Sequence, residues 1–325
     1  MEIYNINVIK NLNRHTAVTV GMFDGVHAGH RQIVRHLTEN ARERGLDPVV
    51  VTFSNHPRSL LRPDEQVSLL TTFDERMQLL EQCGVKTVVV MAFDNETAQL
   101  SACQFASRIL CSKLNMKMLL LGYDNKFGSR YNDDFNKLPE LATQKGFEII
   151  HDEPLPMTQS EYISSTKIRK ALISGNIELA NLMLRTPYSI TGVVEHGHHI
   201  GTTLGFPTAN ISLTANTKLL PADGVYALRA FAEAREHDEQ TFNFQLSTFN
   251  FQLPAIANLG SQPTFHQGRR TLEVHLLDFE GDLYGQTLRV EFLSRLRDIK
   301  QFSSPEALAA QLAIDRDQAR QIIKS

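Results

Sequence analysis

Thr16-Ala17-Val18-Thr19-Val20-Gly21-Met22-Phe23-Asp24-Gly25-Val26-His27-Ala28-Gly29-His30 decides how the N-terminal half is read. Residues 16–20, four of them β-branched, read as a short strand. From Gly29 to Arg44 the apolar residues Ile33, Val34, Leu37 and Ala41 recur on one helical face, and Gly45 is placed to end that helix. The strand-to-helix junction therefore holds three glycines, Gly21, Gly25 and Gly29, and two histidines three positions apart. Such a junction presents unpaired backbone N–H groups and the positive end of a helix dipole, a natural phosphate site. His27 and His30 share one side of the first turn, where two donors stabilise charge developing on a transferring phosphate. Alone, the pair also fits a metal site or two structural histidines; the glycines and the placement favour a nucleotide.

The alternation continues outward. Val49–Phe53 is a second strand, and Thr72-Phe73-Asp74-Glu75 has the spacing of a capping box that opens a helix ending at Gly84. Val85–Met91 is the next strand, Ser101 and Gln104 cap the next helix, and Lys117–Leu121, a helix at 135–145 and Phe147–Ile150 complete the series. Strands apolar on both faces, alternating with helices, predict a parallel sheet covered on both sides. Helices at 166–174 and 177–184 follow. The texture then changes to short strands at 188–195, 224–231, 254–258, 271–277 and 287–293, punctuated by Gly, Pro and Asn, with a final helix at 305–323. This reads as an antiparallel sheet or small barrel. The expected domains are 1–185 and 186–325, divided near Pro187. Thr241–Leu246 recurs as Thr248–Leu253, a duplication suited to an extended hairpin or a lengthened strand with Ser247 near the turn.

Composition narrows the function classes. The 325 residues are 42% hydrophobic and 21% charged, with 33 Lys plus Arg against 36 Asp plus Glu and a net charge of −3. Broad nucleic-acid binding, which draws on a basic surface, is not expected. Cys83, Cys103 and Cys111 lack metal-ligand spacing and read as buried small hydrophobes in a reduced compartment. Residues 1–15 lack the pattern of a signal peptide, and runs such as Val88–Phe93 are far short of a membrane span. The expected location is the cytoplasm, with no membrane partner.

Three further stretches carry chemistry. In Ser164-Ser165-Thr166-Lys167-Ile168-Arg169, hydroxyls suit a helix cap while Arg169, and Lys167 beside it, suit phosphate. In Gly201-Thr202-Thr203-Leu204-Gly205-Phe206-Pro207-Thr208-Ala209-Asn210, the oxygens of Thr208 and Asn210 suit Mg²⁺, although an ordinary glycine-rich turn reads the same way. In Thr271-Leu272-Glu273-Val274-His275-Leu276, alternation puts Glu273 and His275 on one strand face. A carboxylate there, on the inner face of a small barrel, suits a general base for a hydroxyl nucleophile; a solvent-facing strand is the commoner alternative.

The Gly21–His30 block resembles the HxGH signature of the α/β nucleotidyltransferases, and Ser164–Arg169 resembles their second block. Over residues 14–320 the chain resembles the bifunctional riboflavin kinase/FAD synthetase family. Pro221–Tyr226, Ile256–Phe265 and 282–285 stand in family order with the blocks above. The resemblance implies a Rossmann-like FMN adenylyltransferase domain followed by a β-barrel riboflavin kinase domain with a terminal helix. It implies ATP contacts from Gly21, Phe23, Asp24, His27, His30, Asp124, Ser164, Ser165, Thr166 and Arg169 in the first domain. In the second it implies ATP contacts from Gly201, Gly205, Pro207, Thr208 and Asn210, with Thr208 and Asn210 holding Mg²⁺. His27, His30 and Glu273 are the implied catalytic groups; ATP, riboflavin and FMN are the implied substrates, FAD is the product, and self-association is left open. Thr202, Asp124 and Leu184-Arg185 depart from the family pattern. The rivals are a nucleotidyltransferase for another phosphate acceptor and a non-catalytic flavin-binding protein.

Overall fold

Strands β2 (Thr16–Val20), β3 (Asp47–Phe53), β4 (Thr87–Met91) and β5 (Met116–Leu121) are apolar on both faces, so a stable sheet needs cover on both. The computed structural model shows that cover; it describes all residues except 62–63, 65–66, 124–133, 159–160, 196–208, 214–216, 234–248, 262–269, 280, 282 and 325. With β1 (Glu2–Asn5) and β6 (Glu148–His151), these strands form a parallel sheet in the order β1-β4-β3-β2-β5-β6. Side-chain alternation divides the core. Val18, Val20, Val49, Val51, Leu119 and Leu121 pack with Phe105, Leu110 and Leu114. Ala17, Val50, Val88, Met118 and Leu120 pack with Val34, Leu37 and Ala41 of helix α1 (Ala28–Glu43). Short α2 (Pro57–Leu61) precedes α3 (Phe73–Gln82), which adds Met77 and Leu80 to that second layer.

The two predicted capping boxes are present. Thr72 and Glu75 cap α3, and after α4 (Asn95–Gln99), Ser101 and Gln104 cap α5 (Ala102–Phe105). A π-turn at Ala106–Cys111 leads into α6 (Ser112–Leu114), and α7 (Leu138–Lys145) precedes β6. Because β2 lies between β3 and β5, the chain reverses direction across the sheet there. Ligands of open α/β sheets bind outside the carboxyl ends of strands at such a point. Gly21 begins the loop that leaves β2 at that edge. A small antiparallel pair, β7 (Pro156–Thr158) and β8 (Glu161–Tyr162), follows the sheet.

The remaining strands are β9 (Tyr188–Glu195), β10 (Ala209–Leu213), β11 (Gly224–Glu233), β12 (Phe249–Ser261), β13 (Arg270–Leu276) and β14 (Thr287–Arg297). They close into an antiparallel barrel in the order β10-β13-β12-β11-β14-β9. Tyr226 and Phe292 meet edge to face inside it, ring centroids 5.2 Å apart. Each buried tyrosine keeps its hydroxyl paired: Tyr226 donates to Ala222 O and Tyr188 to Leu219 O. Residues 249–253 of the second copy lengthen β12 and pair with Ala230–Glu233 of β11, with a bulge at 232–233, while the first copy and Thr248 lie outside the described residues.

The chain divides into compact units at Met1–Ser165 and Thr166–Ser325, earlier than the boundary expected after Arg185. Helices α8 (Ser165–Ile173) and α9 (Ile177–Leu184) explain the difference, because they bond to the barrel side. Ala222 N donates to Leu172 O, while Asn181 donates to Phe292 O and accepts from Tyr188 N. Arg185, the departure from Leu-Gly, ends α9 in the left-handed region at φ 63°, a conformation glycine adopts without steric cost.

Helix α10 (Pro305–Lys324) covers the outer face of the barrel, where Ala319 packs with Val225, Ala227, Ile256 and Leu277. On the buried side of this helix, Asp315, 0% exposed, accepts from Arg297 Nε at 3.0 Å, from Arg297 Nη2 at 2.8 Å and from Gln311 at 2.9 Å. Removing one partner strands the other's charge in the interior. Asp315→Ala should therefore destabilise the second unit by about 3–5 kcal/mol, read as a lowered denaturant midpoint; an unshifted midpoint would show that the pair adds nothing.

Candidate functional site

The loop after β2 starts with Gly21, whose N–H donates to Val51 O at 3.0 Å. It then passes through left-handed backbone at Phe23 (φ 52°), Gly25 (φ 84°) and Val26 (φ 37°). Only glycine adopts that region freely, so Phe23 and the β-branched Val26 are strained and need surroundings that hold them. Two anchors do so. The Asp24 carboxylate, 3% exposed, accepts from the N–H groups of Leu70 and Thr71 and from the Thr71 hydroxyl at 3.0–3.1 Å. The same hydroxyl accepts from Gly25 N at 3.0 Å. From the opposite side Ser165 Oγ donates to Asp24 O at 3.0 Å. Both Asp24 and Phe23, expected as ATP contacts, have buried side chains; Asp24 clamps 70–71 and Phe23 joins the core beside α1.

This loop delivers the histidines. His27, 5% exposed, is the N-cap of α1, its Nδ1 accepting from His30 N at 3.4 Å. The two imidazoles stack with centroids 3.7 Å apart and an interplanar angle of 16°. Phe23 closes over His30 at 5.1 Å. Burial first, then the neighbouring His27 and Arg76, hold His30 well below the ordinary histidine range, and its Nδ1 has no hydrogen-bond partner. At neutral pH His30 is therefore an uncharged imidazole at a helix N-terminus, with hydrogen-bonding capacity unused.

That depressed value has a stability consequence. As pH falls below about 6.5, unfolded chains take up a proton at this histidine that the folded chain refuses, so stability falls with pH. His30→Asn should flatten the dependence of the unfolding midpoint on pH across that region. Parallel profiles for the two proteins would show that His30 does not carry it.

The structure thus brings together Gly21, Phe23, Asp24, His27, His30 and Ser165. Ser164 precedes Ser165 in the segment that returns to the loop, with Ile163 O near Gly29. Thr166, exposed, and Arg169, half-buried, belong to α8 and to the second compact unit. Asp124 lies outside the described residues, as do Gly201, Gly205, Pro207 and Thr208.

In the barrel, Leu272, Val274 and Leu276 are buried and Glu273 is half-buried. Ile256, which packs with Ala319 outside the barrel, lies opposite His275, so Glu273 and His275 are on the outer face and not the expected inner one. The inner face carries Leu272, Val274 and Leu276 opposite Leu259, Ala257 and Ala255 of β12, all buried. On the outer face the register lines up Glu195, Asn210, Glu273 and Asn258 across four adjacent strands. Residues directly opposite one another have Cα atoms roughly 4.5–5.5 Å apart. Asn210 and Glu273 are therefore immediate neighbours, and Asn258 flanks Glu273 on the other side. Neither Asn258 nor Glu195 was singled out from sequence; only the pairing register reveals them. Arg76 was missed too, although a charge at the Phe73/Met77/Leu80 spacing of an apolar helix face was a legible signal.

Two family models match successive parts of the chain. Residues 9–167 match the family model described as FAD synthetase, and residues 184–323 match that described as riboflavin kinase. A protein named bifunctional riboflavin kinase/FMN adenylyltransferase from Escherichia coli strain K12 is 36% identical over 304 residues, covering 94% of this chain and 91% of its own. Proteins of the same name from Haemophilus influenzae (35%, covering 98% and 99%) and Bacillus subtilis (33%, covering 96% and 94%) are similar along their length. A crystal structure described as a macrolide-efflux protein from Streptococcus pneumoniae superposes with a TM-score of 0.85 at 30% identity, covering 98% of this chain and 99% of that one. Among the described residues here, no helix is long and apolar enough to cross a membrane. With both family models matched in order and full-length relatives above 30% identity, the chain belongs to the bifunctional riboflavin kinase/FMN adenylyltransferase family.

Proposed function

We propose that the chain makes FAD from riboflavin in two ATP-dependent steps, the first on the barrel and the second at the carboxyl edge of the parallel sheet. In the first step Glu273 takes the proton of the terminal ribityl hydroxyl. The freed oxygen attacks the γ-phosphorus of ATP, ADP leaves, and FMN is formed. Phosphoryl transfer relies mostly on positioning and charge neutralisation, so one base and a metal-assisted clamp suffice. Asn210, adjacent to Glu273 in the register, offers the hard oxygen that Mg²⁺ prefers, and the donor chemistry fits. Asn210 and Thr208 would hold the ion, which when bound neutralises phosphate charge.

In the second step a phosphate oxygen of FMN attacks the α-phosphorus of ATP and pyrophosphate leaves. His27 and His30 face the nucleotide from the first turn of α1, together with that turn's amide groups and helix dipole. A neutral His30 donates one N–H to an α-phosphoryl oxygen, and donors positioned in advance favour the more charged transition state. Ser164 and Ser165, on the segment that returns to the loop, serve the same phosphates. The stacked His27–His30 pair at the N-terminus of α1, on a strained and doubly anchored loop, carries this reading. The enzyme works in the cytoplasm, where its three free cysteines stay reduced.

Purified protein mixed with riboflavin, ATP and Mg²⁺ should yield FMN and then FAD, with ADP and pyrophosphate as co-products. Formation of neither co-product would end the proposal, and pyrophosphate released only with a phosphate acceptor other than FMN would transfer the reading to a different nucleotidyltransferase.

A further inference from the structure

We infer that Arg76 is a positioning residue for adenylyl transfer: its guanidinium, reaching from α3, ties the carbonyls of Met22 and Phe53 together and so fixes the loop that carries His27 and His30. The inference rests on the assignment of adenylyl transfer to this loop.

Arg76 is 3% exposed, among the most buried charged side chains described. Nη1 donates to Met22 O at 2.8 Å and Nη2 to Phe53 O at 2.6 Å. Met22 is the second residue of the loop after β2, and Phe53 is the last residue of β3. One planar fork therefore spans the carboxyl ends of two adjacent central strands, at the edge where the nucleotide loop begins. Thr52 Oγ1 also donates to Met22 O, at 3.2 Å, so this carbonyl is held twice. The loop needs such restraint. Phe23 directly follows Met22 in left-handed backbone, a conformation costing about 1–3 kcal/mol that persists only when its surroundings enforce it. The Asp24 clamp and Ser165 restrain the far side of the loop; Arg76 restrains its origin.

Burying a guanidinium is costly, and a helix face between Phe73 and Met77 would tolerate an apolar residue at lower cost. The charge is instead placed where its fork reaches two carbonyls at the strand ends. Burial lowers the Arg76 pKa to about 10, with Asp24 opposing the shift, so the group stays charged at neutral pH. The groups that act on His30 electrostatically are His27, from the same turn, and Arg76, from α3; both disfavour its protonation. Arg76 thereby supports the neutral imidazole as well as the loop geometry.

The test uses the full-length protein with FMN and ATP, comparing wild type with Arg76→Met, Arg76→Gln and Arg76→Lys. It is read by kcat/KM for FAD formation and by NMR titration of His30. Misplacing a reacting group by about 1 Å costs on the order of 10²-fold, and a loss of about that size is expected for Arg76→Met. Arg76→Lys, which keeps the charge and one carbonyl contact, should recover most of the rate. The His30 pKa should rise in the Met and Gln variants and stay low in Lys. Wild-type kcat/KM in Arg76→Met would overturn the inference. So would equal losses in all variants with an unmoved His30 titration, the pattern of a purely structural residue. Should Arg76→Met not fold, Gln against Lys decides: a slowed Gln with a near-normal Lys supports the inference, and no difference overturns it. If the wild-type protein makes FMN but never FAD, the assignment of adenylyl transfer fails first, and that outcome is separate from unaltered FAD formation in the variants.

Discussion

His30→Ala is expected to lower FAD formation from FMN by about 10²–10³-fold, the usual effect of deleting one donor aimed at developing charge. Phosphorylation of riboflavin by the same protein should continue. The structure separates this substitution from the parallel one at His27. The His30 ring makes no hydrogen bond through Nδ1 and carries no charge at neutral pH, so truncation forfeits its packing against the His27 and Phe23 rings but no hydrogen bond at Nδ1. The His27 ring caps α1 through His30 N, and its loss should add roughly 0.5–2 kcal/mol of destabilisation. His30→Ala should therefore slow the reaction with a loss of packing alone, while His27→Ala should slow it and remove a helix cap as well. Chromatography of the flavins checks the first expectation and denaturant unfolding the second. Undiminished FAD formation in both variants would remove the histidines from the mechanism.

The contrast shows what the sequence makes legible. Local signals were strong wherever periodicity or a cap operates within a few residues: the β2–α1 junction, the Thr72–Glu75 and Ser101–Gln104 boxes, and the alternation along β13. Strand β1 was not foreseen, because Glu2-Ile3-Tyr4-Asn5 is too polar to mark a strand and is held only by pairing with β4 at the sheet edge. Which face of β13 is inside was not readable either. Period-2 alternation fixes the two faces relative to each other but not which one the barrel closes around; α10 covering Ile256 settles that. Asp24 stood in a motif and was read as a ligand contact, yet its partners Leu70 and Thr71 lie far away in sequence. Arg76, Asn258 and Glu195 share that character, since their positions depend on tertiary register.

Glu273→Gln should abolish most FMN formation, by about 10²–10⁴-fold for loss of a general base, while conversion of supplied FMN to FAD proceeds. The geometry makes this a clean substitution. Glu273 is half-buried on the outer face, with Asn210 opposite on β10 and Asn258 opposite on β12. Glutamine matches its shape and keeps an oxygen in the row, but it cannot accept the hydroxyl proton. Stability should change little, since the apolar face of β13 with Leu272, Val274 and Leu276 is untouched. FMN formation within a few-fold of wild type would exclude Glu273 as the base and turn attention to His275 on the same face. Loss of both activities would mean that the substitution disturbs more than one carboxylate, which the unfolding midpoint would reveal. Selective loss of the first step, with the second intact, is the outcome that a base on the barrel and a separate nucleotide loop on the sheet require.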